Sequence, residues 1–108
     1  MQKARFLDKG RTLRKLSGIA ARIKKKNPNV NKIILFGSLV SNEYTLRSDA
    51  DIVIILKKDS ARFIDRIPKF LLLFADAPVP VDVFPYTEEE SKTVPLAKKA
   101  LANGIVLA

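Results

Sequence analysis

Apolar residues near the start of the chain recur with the period of a helix. Leu13, Leu16, Ala20 and Ile23 are separated by three, four and three residues, which places them on one helical face. The spacing predicts a helix over residues 3–26. A proline two residues later disfavours helical geometry before it and is expected to end the helix.

Apolar runs farther along the chain predict four β-strands. Residues 32–36 and 52–56 form short, continuous runs rich in isoleucine and valine, as is typical of buried strands. Residues 79–84 predict a third strand, interrupted at its middle by Asp82. Residues 105–108 predict a short last strand.

Helices are expected between the strands. Ser38 can cap a short helix after the first strand. A longer helix is expected from Ser60 onward, with Pro68 inside it to kink it or split it in two. Its buried face is predicted to contain Ile64, Ile67, Leu71 and Phe74.

The last quarter of the chain carries helix start and stop signals. Thr87 and Glu90 have the spacing of a capping box, which predicts a helix directly after Thr87. Pro95 is expected to restart that helix, and the Asn-Gly pair at 103–104 to end it. The alternation of helices and strands predicts one α/β domain over residues 1–108.

The net charge of +9 is concentrated at one end. Residues 1–26 hold ten of the 20 Lys and Arg and one of the 11 Asp and Glu, so the rest of the chain is neutral. The basic character therefore belongs to an N-terminal segment, residues 1–27, and is not a general polyanion-binding surface.

Composition excludes several kinds of chemistry. The chain contains no histidine and no cysteine, so Ser-His or Cys-His nucleophiles and ordinary zinc sites are excluded. No apolar run is long enough for a membrane span, and the charged N-terminus is unlike a secretory signal. A cytoplasmic protein is the expectation.

Three aspartates indicate an oxygen-ligand metal site. Asp49 and Asp51 lie two residues apart at the start of a strand and would project from the same side. Neighbouring carboxylates repel each other, which costs free energy unless a cation or hydrogen-bond donors compensate. If the strand with Asp82 is adjacent, all three could hold two Mg²⁺ ions, or Mn²⁺, as in phosphoryl transfer.

A glycine-serine pair precedes these aspartates. Gly37 ends the first strand and can adopt backbone angles that other residues resist. The amides that follow, at the start of a helix beginning with Ser38, can bind phosphate oxygens. A phosphate site next to a metal site favours a nucleoside triphosphate as the ligand.

Gly37-Ser38, ten further residues and then Asp49-x-Asp51 resemble the signature of the DNA polymerase beta superfamily of nucleotidyltransferases. The short chain is similar to the minimal nucleotidyltransferases, often paired with HEPN-type proteins in toxin–antitoxin modules. The resemblance implies a small mixed sheet flanked by helices. It also implies transfer of AMP from ATP, or of another NMP from its NTP, to a hydroxyl.

The resemblance also implies roles for individual residues. Asp49, Asp51 and Asp82 would bind the metal ions and act in catalysis, with Asp82 preparing the acceptor hydroxyl. The acceptor would be a tyrosine of a HEPN-type toxin, which this chain would neutralise as antitoxin. The nucleotide would contact Gly37, Ser38 and Ser48.

Two features keep other interpretations open. Leu39 stands where members commonly have a basic residue, which is compatible with an antitoxin that acts by contact alone. Asp82 could instead be a charge that protects an edge strand, and Asp76, in a loop before a proline, is the less favoured third carboxylate.

The basic helix also has several interpretations. It can be a solvated cover for the sheet, it can dock an acidic protein partner, or it can bind nucleic acid through residues such as Arg14, Lys15 and Arg22. The protein partner is favoured over nucleic acid, because so short a chain has little room for an acceptor-binding domain.

Overall fold

A computed structural model describes residues 9–37 and 50–108 of the chain. The predicted helix after Ser38 and the first residues of the N-terminal helix lie outside these ranges. The described elements follow in chain order: α1 (Lys9–Lys26), β1 (Val30–Phe36), β2 (Ala50–Leu56), α2 (Phe63–Leu73), β3 (Val81–Thr87), α3 (Glu88–Ser91), α4 (Pro95–Asn103) and β4 (Ile105–Val106).

The strands form a mixed four-stranded sheet in the order β3-β2-β1-β4. β1 runs antiparallel to both of its neighbours, β2 and β4, while β2 and β3 run parallel. Helices flank this sheet, so the predicted α/β class with a small mixed sheet is confirmed.

Alternating residues of the central strands divide the core between the two faces of the sheet. On one face, Ile52 and Ile54 pack in a cluster with residues of α1 and α2. On the other face, Val53 and Ile55 pack with Ala100 of α4. The odd-numbered positions of β2, including Asp51, therefore face the α4 side.

The helix α2 corrects two predictions. It is one continuous helix, so of the two outcomes predicted for Pro68, a kink or a split, the split is wrong. Pro68 lies on the exposed side of the helix and has no N–H to donate to the carbonyl of Ile64, four residues earlier. Because Ile64 is 65% exposed, water can reach that carbonyl instead. The predicted buried face is also partly wrong, because Phe70 and Arg66 point inward while Ile64 and Leu71 are exposed.

Arg66 turns α2 away from the predicted face. Its side chain is only 4% exposed and forms two bonds to Glu90, Nη1 to Oε1 at 2.7 Å and Nη2 to Oε2 at 3.2 Å. Nη1 also donates to the Pro85 carbonyl on edge strand β3. Glu90 completes the predicted capping box with Thr87, so one carboxylate joins α2, β3 and α3.

Replacing this guanidinium is expected to destabilise the fold. Arg66→Met should lower the free energy of unfolding by about 2–4 kcal/mol, because it leaves Glu90 and the Pro85 carbonyl without a buried donor. The hydrogen bond from Arg66 lowers the pKa of Glu90 below the 4.5 of an unperturbed glutamate. The Arg66–Glu90 pair therefore contributes its full stabilisation above about pH 4.5. That stabilisation is lost as the pH falls through the lowered pKa of Glu90 in the folded protein.

Urea unfolding of Arg66→Met and the wild type between neutral and acid pH measures both effects. The variant should lose less stability than the wild type on acidification, because its Glu90 pKa is no longer lowered by Arg66. Arg62→Met is the matched control: that side chain is 81% exposed and pairs with Asp65 at the surface, so little change is expected. Equal losses in the two variants would contradict a structural role for the Arg66–Glu90 pair.

Candidate functional site

Two of the predicted carboxylates lie side by side at one end of the sheet. Asp51 and Asp82 are register partners on the neighbouring parallel strands β2 and β3. Asp51 faces the α4 side, as Val53 and Ile55 do, and its register partner Asp82 points to the same side, so both side chains project from the α4 side of the sheet. Asp51 is half-buried on the central strand, whereas Asp82 is exposed on the edge strand.

The position of Asp82 differs from the sequence prediction in one respect. The third strand covers Val81–Thr87, so Asp82 lies near its start and not in its middle. Register pairing with β2 begins at Val81, directly after Pro80, whose carbonyl accepts a bond from the Ala50 amide at 2.8 Å. This shift brings Asp82 level with Asp51.

Gly37 lies directly against Asp51. β1 ends at Phe36, the register partner of Asp51, and Gly37 follows with φ of +89°. A Cβ atom at Gly37 would overlap Oδ2 of Asp51. Both the positive φ and the close approach require glycine here, so the backbone at the end of β1 is fitted to the Asp51 carboxylate.

An aromatic pair lies on the same face of the sheet, and sequence reasoning missed it. Phe36 and Phe84 pack edge to face with ring centroids 5.8 Å apart. Phe84 is two residues after Asp82 and Phe36 is level with Asp51, so the rings form an apolar boundary beside the carboxylates. The spacing Asp82-x-Phe84 on a predicted strand was the available signal.

The described part of the site is compatible with a hard divalent cation. Asp51 and Asp82 offer oxygen donors only, which Mg²⁺ prefers, and the missing Cβ of Gly37 leaves Oδ2 of Asp51 room. Within residues 9–37 and 50–108, no group of three or more acidic, cysteine or histidine residues could hold a metal. Ser38, Ser48 and Asp49, the other predicted site residues, lie outside the described residues.

Two further predictions concern residues away from this pair. Asp76, the less favoured third carboxylate, lines a groove between α1 and α2. The basic helix is present over Lys9–Lys26, with Leu16, Ile19, Ala20 and Ile23 buried and most of its basic side chains exposed. None of the helices in the described ranges is long and apolar enough to cross a membrane.

Comparison with known proteins agrees with this architecture. A family model for the nucleotidyltransferase domain matches residues 16–107. A protein from Sulfolobus solfataricus assigned as a nucleotidyltransferase superposes with a TM-score of 0.64 at 21% identity, over 91% of this chain and 80% of that one. A toxin–antitoxin structure with AMP-PNP has a TM-score of 0.57 at 20% identity, over 85% of this chain and 72% of that one.

No curated protein sequence matches the chain significantly. The two solved structures, at their low identities, support the fold, and the family model covers most of the chain, including both Gly37 and the Asp51–Asp82 pair. The chain belongs to the nucleotidyltransferase domain family.

Proposed function

We propose that this protein transfers a nucleoside monophosphate, AMP from ATP in the first instance, to a hydroxyl group. The observation that carries the proposal is the in-register pair Asp51 and Asp82, with Gly37 packed against the Asp51 carboxylate. Two adjacent carboxylates next to a glycine with a positive φ support this proposal, because phosphoryl transfer needs oxygen ligands for a cation beside room for phosphate oxygens.

The two carboxylates are suited to different parts of the reaction. Half-buried Asp51 lies next to Gly37, so it would border the triphosphate, which Ser38 and Ser48 are proposed to contact. Exposed Asp82 is on the edge strand, where a macromolecular acceptor can reach it. We assign Asp82 as the group that prepares the acceptor hydroxyl.

In the proposed step, the hydroxyl oxygen attacks the α-phosphorus of the NTP and forms a new oxygen–phosphorus bond. The bond from the α-phosphorus to the oxygen that bridges to the β-phosphate breaks, and pyrophosphate leaves with that electron pair. Asp82 accepts the hydroxyl proton. Backbone amides after Gly37 bind phosphate oxygens as negative charge moves toward the leaving group.

Asp49, Asp51 and Asp82 are the residues that would hold the metal. Two Mg²⁺ ions, or Mn²⁺, would supply charge neutralisation for the phosphates and would lower the pKa of the attacking hydroxyl. Asp51 and Asp82 support this assignment as paired oxygen donors.

The proposed acceptor is a tyrosine hydroxyl of a HEPN-type toxin, with this chain as the antitoxin. The family resemblance favours such a pair, and a toxin–antitoxin structure that contains AMP-PNP is among the similar folds. A protein acceptor also suits the exposed position of Asp82.

Calorimetric titration with ATP and the other NTPs tests the nucleotide site without an acceptor. Binding is expected in the presence of Mg²⁺ and should fall below detection in an Asp49→Asn/Asp51→Asn variant, which lacks two of the three carboxylates that would hold the metal. An Asp65→Asn/Asp76→Asn variant makes the same change in charge at two exposed positions and should bind normally.

Two results would contradict the proposal. If folded wild-type protein binds no NTP, an antitoxin that acts by contact alone becomes the better explanation. If the Asp49→Asn/Asp51→Asn variant binds as tightly as the wild type, the triphosphate site lies elsewhere on the chain.

A further inference from the structure

The helix α2 carries apolar side chains beyond the face that it buries. Phe70 and Phe74, at the end of the helix, pack into the core, yet Ile64 is 65% and Leu72 is 77% exposed on other sides, and Leu71 and Leu73 are partly exposed. Exposed apolar side chains that lie close together often mark a surface that contacts another molecule. Among the described residues, only one side of α2 is covered.

A groove beside this helix has an apolar floor and wall. Ile19 and Ile23 of α1 form the floor, Leu72 and Leu73 of α2 form the wall, and the volume is about 240 Å³. Small-molecule pockets usually enclose about 300–1,000 Å³. The α1–α2 groove, as we call it, is therefore better suited to a few side chains inserted from another protein.

The polar rim of the α1–α2 groove is mainly basic. Arg22 and Lys26 border it, together with Asn27 and one acid, Asp76. Lys24 and Lys25 continue the exposed positive charge along the same helix. The rim therefore favours an acidic occupant by charge complementarity.

Charge and apolar surface together select one kind of occupant. A second copy of this chain would bring the same basic rim against the first, and the like charges would repel each other. A nucleic acid would satisfy Arg22 and Lys26 through its phosphates but would leave Leu72 exposed. A protein helix with leucine-like side chains on one face and acidic residues beside them satisfies both features.

We propose that the α1–α2 groove is the docking site for an acidic amphipathic helix of a partner protein. The inference rests on the proposed function for the existence of a protein partner, and it assigns the surface and the chemistry of recognition. The groove lies on the face of the sheet covered by α1 and α2, opposite the face of Asp51 and Asp82. Docking there leaves the carboxylates open.

A labelled synthetic peptide tests this site directly. The peptide repeats leucine along one helical face with glutamate on both flanks, and a second peptide has lysine in place of glutamate. Fluorescence anisotropy should detect binding of the glutamate peptide alone, with affinity that falls as salt increases. Leu72→Glu should weaken it by about tenfold or more, as should Arg22→Glu/Lys26→Glu, which should also reduce the salt dependence.

Leu101→Glu is the matched control, because Leu101 is 41% exposed on α4, which packs on the opposite face of the sheet. It should bind the peptide as the wild type does. Docking and transfer are separable: Leu72→Glu should retain NTP binding, while Asp49→Asn/Asp51→Asn should retain peptide binding. If the wild type binds the NTP but not the peptide, the docking proposal has failed. If it binds the peptide but not the NTP, the transfer proposal has failed.

Three outcomes would overturn the docking proposal. The first is no binding of the glutamate peptide, or equal binding by Leu72→Glu. The second is a wild-type dimer in sedimentation that Leu72→Glu converts to a monomer, which would make the occupant a second copy. The third is binding of an oligonucleotide that Arg22→Glu/Lys26→Glu abolishes and Leu72→Glu does not change, which would indicate a nucleic-acid surface.

Discussion

Asp51→Asn is expected to slow nucleotidyl transfer by about 10²- to 10³-fold, a typical cost of removing one preorganised electrostatic contact. The amide keeps the size of the side chain and removes the negative charge beside Gly37 and Asp82. Because Asp51 borders the proposed triphosphate site, the loss should include a higher KM for the NTP. Transfer is measured as radioactivity from α-labelled ATP, the proposed donor, incorporated into the proposed acceptor, a purified HEPN-type toxin.

Asp82→Asn should give a different kinetic pattern at a similar cost of about 10²- to 10⁴-fold. Asp82 is assigned to the acceptor hydroxyl, so kcat should fall with little change in the KM for the NTP. The double variant should lose less than the product of the two single losses, because residues that act as a unit are not additive.

The control for both substitutions is Asp76→Asn, an acid that lies outside the site and lines the α1–α2 groove. It should retain transfer under saturating acceptor. The Asp51→Asn, Asp82→Asn and Asp76→Asn variants should all give the same circular dichroism spectrum. If Asp76→Asn impairs transfer as strongly as Asp82→Asn does, the register pair is not the catalytic centre.

Features that depend on local sequence could be predicted well. The period of α1, the β-branched run of β2, the Thr87–Glu90 capping box and the restart at Pro95 are all written within a few neighbouring residues. Each is determined by a short-range preference, so no knowledge of the rest of the chain is required.

Features that depend on distant contacts could not be predicted in the same way. The buried position of the Arg66 side chain depends on Glu90, 24 residues later. No periodic pattern in the sequence predicts that pair. The helix α2 carries apolar residues beyond its buried face, so spacing alone could not identify that face.

The candidate site combines both kinds of information. The sequence predicts Asp51 and Asp82 as site residues, on the condition that their strands are neighbours in the sheet. The parallel pairing of β2 and β3, and the start of β3 after Pro80, then determine that the two residues are level. Register of this kind arises from packing between strands, which a single strand's pattern does not contain.

Gly37→Ala is expected to lower the free energy of unfolding by about 1–3 kcal/mol, as is typical for a non-glycine residue held in an unfavourable backbone conformation. Gly37 has φ of +89°, and the added Cβ would overlap Oδ2 of Asp51. Displacement of that carboxylate should also weaken Mg²⁺-dependent ATP binding. Urea unfolding and calorimetry measure the two effects.

The double variant Gly37→Ala/Asp51→Ala separates backbone strain from overlap with the carboxylate. If the overlap contributes, Gly37→Ala should cost less in the Asp51→Ala background, since the atoms that the Cβ would meet are then gone; the cost that remains is the strain of a positive φ. Gly18→Ala is the control, because Gly18 lies within α1, where an added Cβ would meet no other part of the described chain within 4 Å, and alanine there should stabilise by about 0.5–1 kcal/mol. An unchanged cost in both backgrounds, with ATP binding intact, would show that the turn after β1 does not position Asp51.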